Sequence, residues 1–331
     1  MNLRAHARFG RQAAHTAAHR HCFQPTFEGG TIVDHKKLRT RLAYGLLALI
    51  LAACLARPAL AQNNSLGSRV NGLVSFDISD HYITPRGLNV EDEGVVIQPL
   101  TLLFWKLKGG GNGPLTEVTL TTGLWNSFHS HPSGAEPTRW NELDPILGLT
   151  FTFKNRMKVD VTTTSFYTPT DSYPTSTHLD LKFTYNDKWN ERFSVNPYFE
   201  HWTELNNKAT VVFNPATSEE GTYITVGATP TFNIGKAKIE VDTAANFVSS
   251  DFYQKFDGSN GGSGFAVFST YPKVSVPLKF MGSNYGAWTA YGGVAYFHLR
   301  NEGLLDGNQV LANPERKSNL ARIRGGVSIF F

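Results

Sequence analysis

The residue types best suited to chemistry gather in one short stretch of the sequence. Three serines and two histidines fall within the run Trp125-Asn126-Ser127-Phe128-His129-Ser130-His131-Pro132-Ser133-Gly134. A serine hydroxyl becomes an effective nucleophile when a base lies within hydrogen-bond reach and a third group orients that base. The stretch therefore predicts either a hydrolytic site or a loop whose histidines are simply solvated. Closeness in sequence leaves both interpretations open.

Charged residues recur at every second position in several segments, opposite apolar residues on the other face. At the middle of a bilayer, an arginine or lysine that faces lipid costs about 2–4 kcal/mol, so such charges are expected to face the interior of a barrel. They form either ion pairs that fill a closed lumen or the lining of a water-filled pore whose mixed charges set selectivity. The ten residues predicted to line the interior are Lys158, Asp160, Asp180, Lys182, Glu200, Lys238, Glu240, Asp242, Arg322 and Arg324.

Segments of about ten residues with a period-2 alternation are the elements that must position these charges. In the segment 237–248, for example, Ile239 and Val241 alternate with Lys238 and Glu240. A strand of about 9–11 residues crosses a bilayer at a tilt, and a closed barrel satisfies every backbone hydrogen bond there. After the leader, the sequence has no sustained helical period and no apolar run long enough for a membrane-spanning helix.

The connections between these segments alternate in length. Short turns are predicted near residues 109–114, 154–156, 187–191, 235–236 and 280–284, and longer polar loops near residues 81–93, 130–142, 169–177, 205–221, 249–263 and 301–318. Short turns on the periplasmic side and long loops outside are typical of outer-membrane barrels. We therefore predict an all-β fold, a transmembrane antiparallel β-barrel of about twelve strands with short periplasmic turns and longer external loops.

The last predicted strand, residues 319–331, ends the chain on Phe331. Val327 and Ile329 share a face with Phe331, whereas Arg322 and Arg324 lie on the other face. A terminal phenylalanine preceded by apolar residues at alternate positions resembles the signal that the outer-membrane assembly machinery reads. We therefore expect Phe331 to act as an assembly signal. The expected partners are the barrel assembly machinery and outer-membrane lipid.

A secretory signal peptide is predicted at residues 36–61. Basic residues precede an apolar stretch, and an A-x-A sequence ends at Ala61, so that cleavage is expected between Ala61 and Gln62. The apolar stretch is about twelve residues long, shorter than the roughly 20 that a spanning helix needs. A lipobox-like Leu-Ala-Ala before Cys54 is the alternative, and it would make Cys54 a lipidated N-terminus. Export would then place residues 62–331 in the bacterial outer membrane.

Residues 1–35 are interpreted as a spurious or untranslated extension, because they precede a complete signal peptide. Within them, His15, His19, His21 and Cys22 have the residue types of a metal cluster. A mature protein would not retain these residues. We therefore predict no metal site.

Charge and cysteine content exclude several classes of function. The formal net charge is +4, but the chain up to Ala61 holds nine basic and two acidic residues, which leaves 22 basic and 25 acidic groups, a net charge of −3, for the remainder. This remainder lacks the basic excess of a nucleic-acid-binding domain. Both cysteines lie in the leader, so the mature chain offers no disulfide and no thiolate ligand. It also lacks phosphate- and dinucleotide-binding motifs, so no cofactor is predicted.

Three short motifs resemble the TorF-like family of porins. They are Ser-Asp-His-Tyr-Ile-Thr-Pro-Arg-Gly at residues 79–87, Gly-Leu-Trp-Asn-Ser at residues 123–127, and Glu142-Leu143-Asp144 followed by Gly148. The motifs lie in the early part of the predicted barrel, and His81 departs from the family pattern by standing between Asp80 and Tyr82. The resemblance implies an outer-membrane porin and defines no solute.

The sequence thus favours a channel for passive diffusion of small polar solutes or ions, and it leaves two alternatives. In the first, the sequence His-Pro-Ser-Gly at residues 131–134 partly matches the His-x-Ser-Asn-Gly signature of outer-membrane phospholipase A. That resemblance implies a lipid hydrolase with a Ser–His–Asn catalytic set on a barrel. In the second, the barrel is a non-conducting scaffold that anchors a periplasmic protein.

Overall fold

A computed structural model describes residues 69–110, 112–131, 139–170, 173–281 and 283–331. The leader, its cleavage site at Ala61 and Gln62, Cys54 and the histidines of residues 1–35 lie outside the described residues, as does Ser133. What the sequence predicts for them stays a prediction.

Sixteen β-strands and one α-helix occur in the described residues. The strands are β1 (Val70–Ser79), β2 (Tyr82–Ile83), β3 (Asn89–Glu91), β4 (Val96–Lys108), β5 (Leu115–His129), β6 (Trp140–Phe153), β7 (Met157–Phe166), β8 (Ser176–Tyr185), β9 (Phe193–Ser194), β10 (Pro197–Asn206), β11 (Thr222–Ala228), β12 (Thr231–Ile234), β13 (Ala237–Val248), β14 (Gly264–Pro277), β15 (Ala287–Leu299) and β16 (Asn319–Phe330). The α-helix is α1 (Glu302–Val310), and short 3-10 helices span Pro215–Thr217, Lys279–Met281 and Ser283–Tyr285.

One antiparallel sheet closes on itself to form the barrel. Strand β1 pairs with β4 on one side and with β16 on the other, where Val74 lies opposite Ile329. Across the barrel, β11 pairs with both β10 and β13. Twelve strands complete the circuit, because β9 leads into β10 and β11 leads into β12 as two interrupted strands. The predicted fold class, an antiparallel barrel of twelve strands, is confirmed.

Prolines account for both interrupted strands. Pro197 and Pro230 lie at the two breaks, and a proline lacks the N–H group that a ladder needs. At the first break, Asn196 adopts a positive φ of 48°. The Asp187 carboxylate accepts hydrogen bonds from the backbone N–H groups of Val195, at 2.9 Å, and of Asn196. A side chain from the neighbouring short turn thus replaces the missing ladder bonds.

The outer face of the wall is apolar, and most of the inner face is polar. On β1, Phe76 and Ile78 are about half exposed, whereas Asp77 between them is buried. On β16, Ile323 is 65% exposed, whereas Arg322 is buried. An apolar outer face and a closed backbone ladder are what the interior of a bilayer requires of a sheet. No helix in the described part of the chain has the length and apolar character to cross a membrane.

The connection between β1 and β4 folds inward, into the lumen of the barrel. These residues, 80–95, are called the inner segment below, and they include the two short paired strands β2 and β3. Residues 82–86 line a cavity together with residues of the barrel wall. Ile83 and Leu88 belong to a buried apolar cluster that also contains Leu304 of α1. The sequence predicts an external loop here, and the structure folds this loop inward because it buries apolar side chains inside the barrel.

Candidate functional site

Two asparagines fasten the inner segment to the last long connection. The backbone N–H of Asn89 donates to Oδ1 of Asn308 at 2.8 Å, and Nδ2 of Asn308 donates to the carbonyl of Gly87 at 2.9 Å. Nδ2 of Asn89 donates to the carbonyl of Ala312 at 2.6 Å. Both asparagine side chains are buried. Replacing either side chain would therefore leave buried backbone groups without a hydrogen-bond partner, and water could not take the place of the lost amide.

One residue of β13 and one residue of the connection that follows β13 form hydrogen bonds with the turn of the inner segment. Nδ2 of Asn246 on β13 donates to the carbonyl of Pro85 at 2.9 Å. The hydroxyl of Tyr253 donates to the carbonyl of Arg86 at 2.6 Å. Gly87 completes the turn with φ at +84°, where a Cβ would lie 2.9 Å from side chains on β14 and β15. The inner segment is thus fixed to the wall through its backbone.

Tyr82 connects the inner segment to an acidic part of β6. Its hydroxyl donates to Oε2 of Glu142 at 2.7 Å. Burial, together with the nearby carboxylates of Glu142 and Asp144, raises the pKa of Tyr82 well above its ordinary value. The phenol therefore stays protonated and keeps donating this hydrogen bond.

A serine, a histidine and a glutamate stand in a row between β5 and the inner segment. Oγ of Ser127 lies 2.9 Å from Nε2 of His129, and Nδ1 of His129 lies 3.6 Å from Oε2 of Glu91. The order matches the nucleophile, base and acid of hydrolases. All three residues are buried, and Oε1 of Glu91 accepts the backbone N–H groups of Asp92 and Glu93. A nucleophile must be presented to its substrate, so we interpret the row as buried packing of the inner segment against β5.

Ser130 and His131 follow directly after β5. Oγ of Ser130 accepts the N–H of Val95 at 2.7 Å, and Nδ1 of His131 lies 3.5 Å from the same oxygen. Ser130 therefore also contacts the end of the inner segment. No group of three or more His, Cys, Asp or Glu side chains in the described residues is arranged to hold a metal ion.

Two cavities adjoin the inner segment. The inner cavity, of about 470 Å³, lies between the inner segment and the barrel wall. The outer pocket, of about 580 Å³, lies among the long connections. Thr84, Arg86 and Phe166 line both cavities. These three residues therefore stand between the two cavities.

The structure brings six of the ten sequence-predicted lining residues to the inner cavity. They are Asp180, Lys182, Glu200, Asp242, Arg322 and Arg324. The other four, Lys158, Asp160, Lys238 and Glu240, lie nearer the short turns that precede β7 and β13. They share a face with the cavity-lining residues Thr162 on β7 and Asp242 on β13, because alternate residues of a strand point the same way.

Ion pairs join most of these charges along the inner face. The pairs are Lys158–Asp160 at 3.0 Å, Lys182–Glu200 at 3.3 Å, Lys238–Glu240 at 2.8 Å, Lys273–Glu240 at 3.1 Å and Arg324–Asp77 at 2.8 Å. Asp180, Asp242 and Arg322 form no ion pair with a residue that the structure describes. The interior thus contains both charges in ion pairs and charges without an ion-pair partner.

Sequence reasoning missed several charged residues of the interior, among them Asp77, Arg86 and Asp144. Asp77 alternates with Phe76 and Ile78 on β1, so the period-2 rule contained the signal for it. Asp144 entered the sequence analysis only as part of a family-like motif. Arg86 likewise entered only as part of a family-like motif, and it lies in a connection, where no strand period applies.

Phe331 lies at the seam between the first and last strands. Its N–H donates to the carbonyl of Gly72 at 2.9 Å, and its carbonyl accepts the N–H of Gly72 at 2.7 Å. The ring lies over Gly72, where a Cβ would clash with it. Phe331 therefore extends the ladder of β16 and β1, and its role as an assembly signal stays a prediction.

The barrel is similar to several solved outer-membrane proteins at low sequence identity. An outer-membrane channel from Pseudomonas putida F1 is 10% identical with a TM-score of 0.48, over 82% of this chain and 98% of that one. The porin NanC is 12% identical with a TM-score of 0.41, over 77% and 98%. A bacterial polysaccharide outer-membrane secretin is 10% identical with a TM-score of 0.41, over 81% and 99%. At these values, no property of those proteins is carried over to this chain.

No protein-family model matches the sequence, and no curated protein matches it. The resemblance of the three short motifs to the TorF-like porins therefore stays a prediction from the sequence.

Proposed function

We propose that this protein is a bacterial outer-membrane channel through which small polar solutes or ions diffuse passively. A closed barrel with an apolar outer face suits that membrane. A twelve-strand barrel is wider than the filled eight-strand barrels and narrower than the open 16–18-strand porins. In a lumen of this intermediate width, the inner segment sets the width of the passage. The observation that carries the proposal is the pair of cavities along the barrel, an outer pocket and an inner cavity that are separated by Thr84, Arg86 and Phe166.

Single-channel recording tests this function. The protein is purified from the outer membrane of the expressing cells and inserted into a planar lipid bilayer. Stepwise currents are expected, and they should be small because the inner segment occupies part of the lumen. Heat-dependent migration on a gel shows in the same sample that the barrel is folded. A folded, inserted barrel that carries no current contradicts the proposal.

Replacing Asp242 by asparagine is expected to shift the ion selectivity towards anions. Asp242 is exposed in the interior, and its Oδ1 accepts hydrogen bonds from Tyr198 and Thr229, which an asparagine oxygen can also accept. An ion about 6 Å from a unit charge in water interacts with it by about 0.7 kcal/mol. The permeability ratio, measured from the reversal potential in a salt gradient, should therefore change about threefold.

The matched control is Asp257→Asn in the connection between β13 and β14. This carboxylate is exposed outside the barrel wall, where bulk salt screens it within about 10 Å. The control should keep the wild-type reversal potential. Equal shifts for both variants would show that Asp242 does not face the conducting path.

A further inference from the structure

Arg322 of β16 is a buried cation without an ion-pair partner in the described part of the chain. It lines the inner cavity and is only 9% exposed. Its guanidinium donates no hydrogen bond to a described residue, and its Nε is buried without an acceptor. Burying a charge without a partner costs several kcal/mol, so buried arginines are normally paired. An unpaired guanidinium at the wall of an open space is suited to an anion that enters it.

Arg324 stands beside Arg322 on the same face of β16. Alternate residues of a strand point the same way and lie about 7 Å apart, and both arginines line the inner cavity. Nε of Arg324 donates to Oδ1 of Asp77 on β1 at 2.8 Å, and its two terminal nitrogens donate no hydrogen bond to a described residue. Two guanidinium groups therefore share one carboxylate, which leaves one positive charge in excess.

Tyr271 of β14 is a neighbour of both arginines. Ala295 of β15 lies opposite Arg322, and Tyr271 lies at the same level on the other side of β15, so that only a small side chain separates the two. The ring centre of Tyr271 lies 5.6 Å from the guanidinium carbon of Arg324. Its hydroxyl interacts electrostatically with both guanidinium groups and is buried without a hydrogen-bond partner. Tyr271 therefore adds a third buried donor without an acceptor beside the two arginines.

The neighbouring carboxylates of β13 have other partners. Glu240 pairs with two lysines, at 2.8 and 3.1 Å. Asp242 accepts hydrogen bonds from Tyr198 and Thr229. Among the residues that the structure describes, Asp77 is thus the only ion-pair partner of the two arginines. The excess positive charge on this side of the lumen is left for a solute to neutralise.

We propose that Arg322 and Arg324 bind the carboxylate of a small polar solute in the inner cavity. The planar fork of an arginine matches the two oxygens of a carboxylate and can bind both at once. Chloride lacks the second oxygen, and a sugar alcohol lacks the charge. The volume of about 470 Å³ accommodates such a solute, since small-molecule sites measure about 300–1,000 Å³. This inference rests on the proposed function, because the solute reaches the cavity through the channel.

Equilibrium dialysis with labelled gluconate tests the site in the purified, detergent-solubilised protein. Gluconate is expected to bind saturably. Sorbitol has the same carbon skeleton with a hydroxyl in place of the carboxylate, and it should compete at least about tenfold less well, because it loses a charged hydrogen-bonded contact. Chloride should also compete less well than unlabelled gluconate. The absence of saturable gluconate binding overturns the proposal, as does competition by sorbitol or chloride that equals competition by gluconate.

Arg322→Gln separates binding from folding. The variant should bind gluconate about tenfold more weakly or worse. Its urea midpoint should stay at or above that of the wild type, because the substitution removes an unpaired buried charge. Unchanged gluconate affinity contradicts the proposal. A lower urea midpoint also contradicts it, because that result would assign Arg322 a structural role.

Lys182→Gln is the matched control. Lys182 lines the same cavity on β8, which lies on the opposite wall from β16, and it pairs with Glu200 at 3.3 Å. The substitution removes the same charge from the same lumen, and a unit charge about 12 Å away in water should change the gluconate affinity only about twofold. Equal losses in Lys182→Gln and Arg322→Gln would mean that the net charge of the lumen attracts gluconate, which overturns a site on β16.

The binding measurement and the current measurement fail separately. A conducting barrel that does not bind gluconate overturns the carboxylate site and leaves the channel function in place. A barrel that binds gluconate but carries no current supports the site and overturns the channel function.

Discussion

Replacing Asn308 by alanine is expected to raise the single-channel conductance several-fold and to make the current fluctuate. The Asn308 amide holds two buried backbone groups of the inner segment, the N–H of Asn89 and the carbonyl of Gly87. Each buried group left without a partner costs about 1–3 kcal/mol. Since about 1.4 kcal/mol changes a population ratio tenfold, the inner segment should spend much more time displaced from the lumen.

Single-channel records in a planar bilayer measure this effect, and hydrogen exchange of residues 82–91 measures the displacement itself. Asn313→Ala is the matched control. Asn313 is also buried in the last long connection and also makes two hydrogen bonds through its amide, but both go to the backbone of Lys317 in the same connection. The control should conduct as the wild type does. Equal conductance in both variants would mean that the inner segment does not limit the current.

The strands of the wall were predictable because their signal is local. The segment 237–248 alternates between apolar and charged residues, and β13 has these bounds in the structure. The two-residue turn before it was also predicted at residues 235–236. Alternation follows from the geometry of a single strand, so it can be detected without knowing what the strand contacts.

Some strands carry apolar residues on both faces, and the pairing of the strands explains why. On the inner face near the short turns, Leu73 of β1 lies opposite Leu102 of β4 and Phe330 of β16. Cross-strand partners share a face, so this end of the lumen carries an apolar cluster. Alternation cannot distinguish such an inner cluster from the lipid-facing side of the strand.

The inner segment was not predictable because its contacts are long-range. Asn89 bonds to a residue 219 positions further along the chain, and neither asparagine belongs to a repeating pattern. Arg86 has the same character, since its neighbours Phe166 and Trp202 come from two distant strands. The candidate site is therefore assembled by closure of the barrel, and the sequence alone identifies only the part of it that lies on regular strands.

Replacing Gly293 by alanine is expected to prevent most of the protein from assembling into a barrel. Gly293 lies on β15, and a Cβ there would stand 2.1 Å from the carbonyl oxygen of Pro272 on β14. The pairing of these strands is already interrupted between Thr270 and Lys273, because Pro272 has no N–H to contribute. Overpacking costs about 1–3 kcal/mol, and more where the obstacle is backbone. The folded fraction after refolding into lipid vesicles and the urea midpoint measure the loss.

Gly292 provides the matched control on the same strand. Its Cβ would meet only the carbonyl oxygen of Arg324, at the ordinary contact distance of 3.8 Å, and it shares the outer face with the half-exposed Val294. A glycine within a strand is less stable than alanine by about 0.5–1 kcal/mol, so Gly292→Ala should fold as well as the wild type and resist slightly more urea. A loss of stability in Gly293→Ala together with a gain in Gly292→Ala would assign the effect to the close approach at Pro272. Equal losses at both positions would mean that β15 rejects alanine for a reason other than that contact.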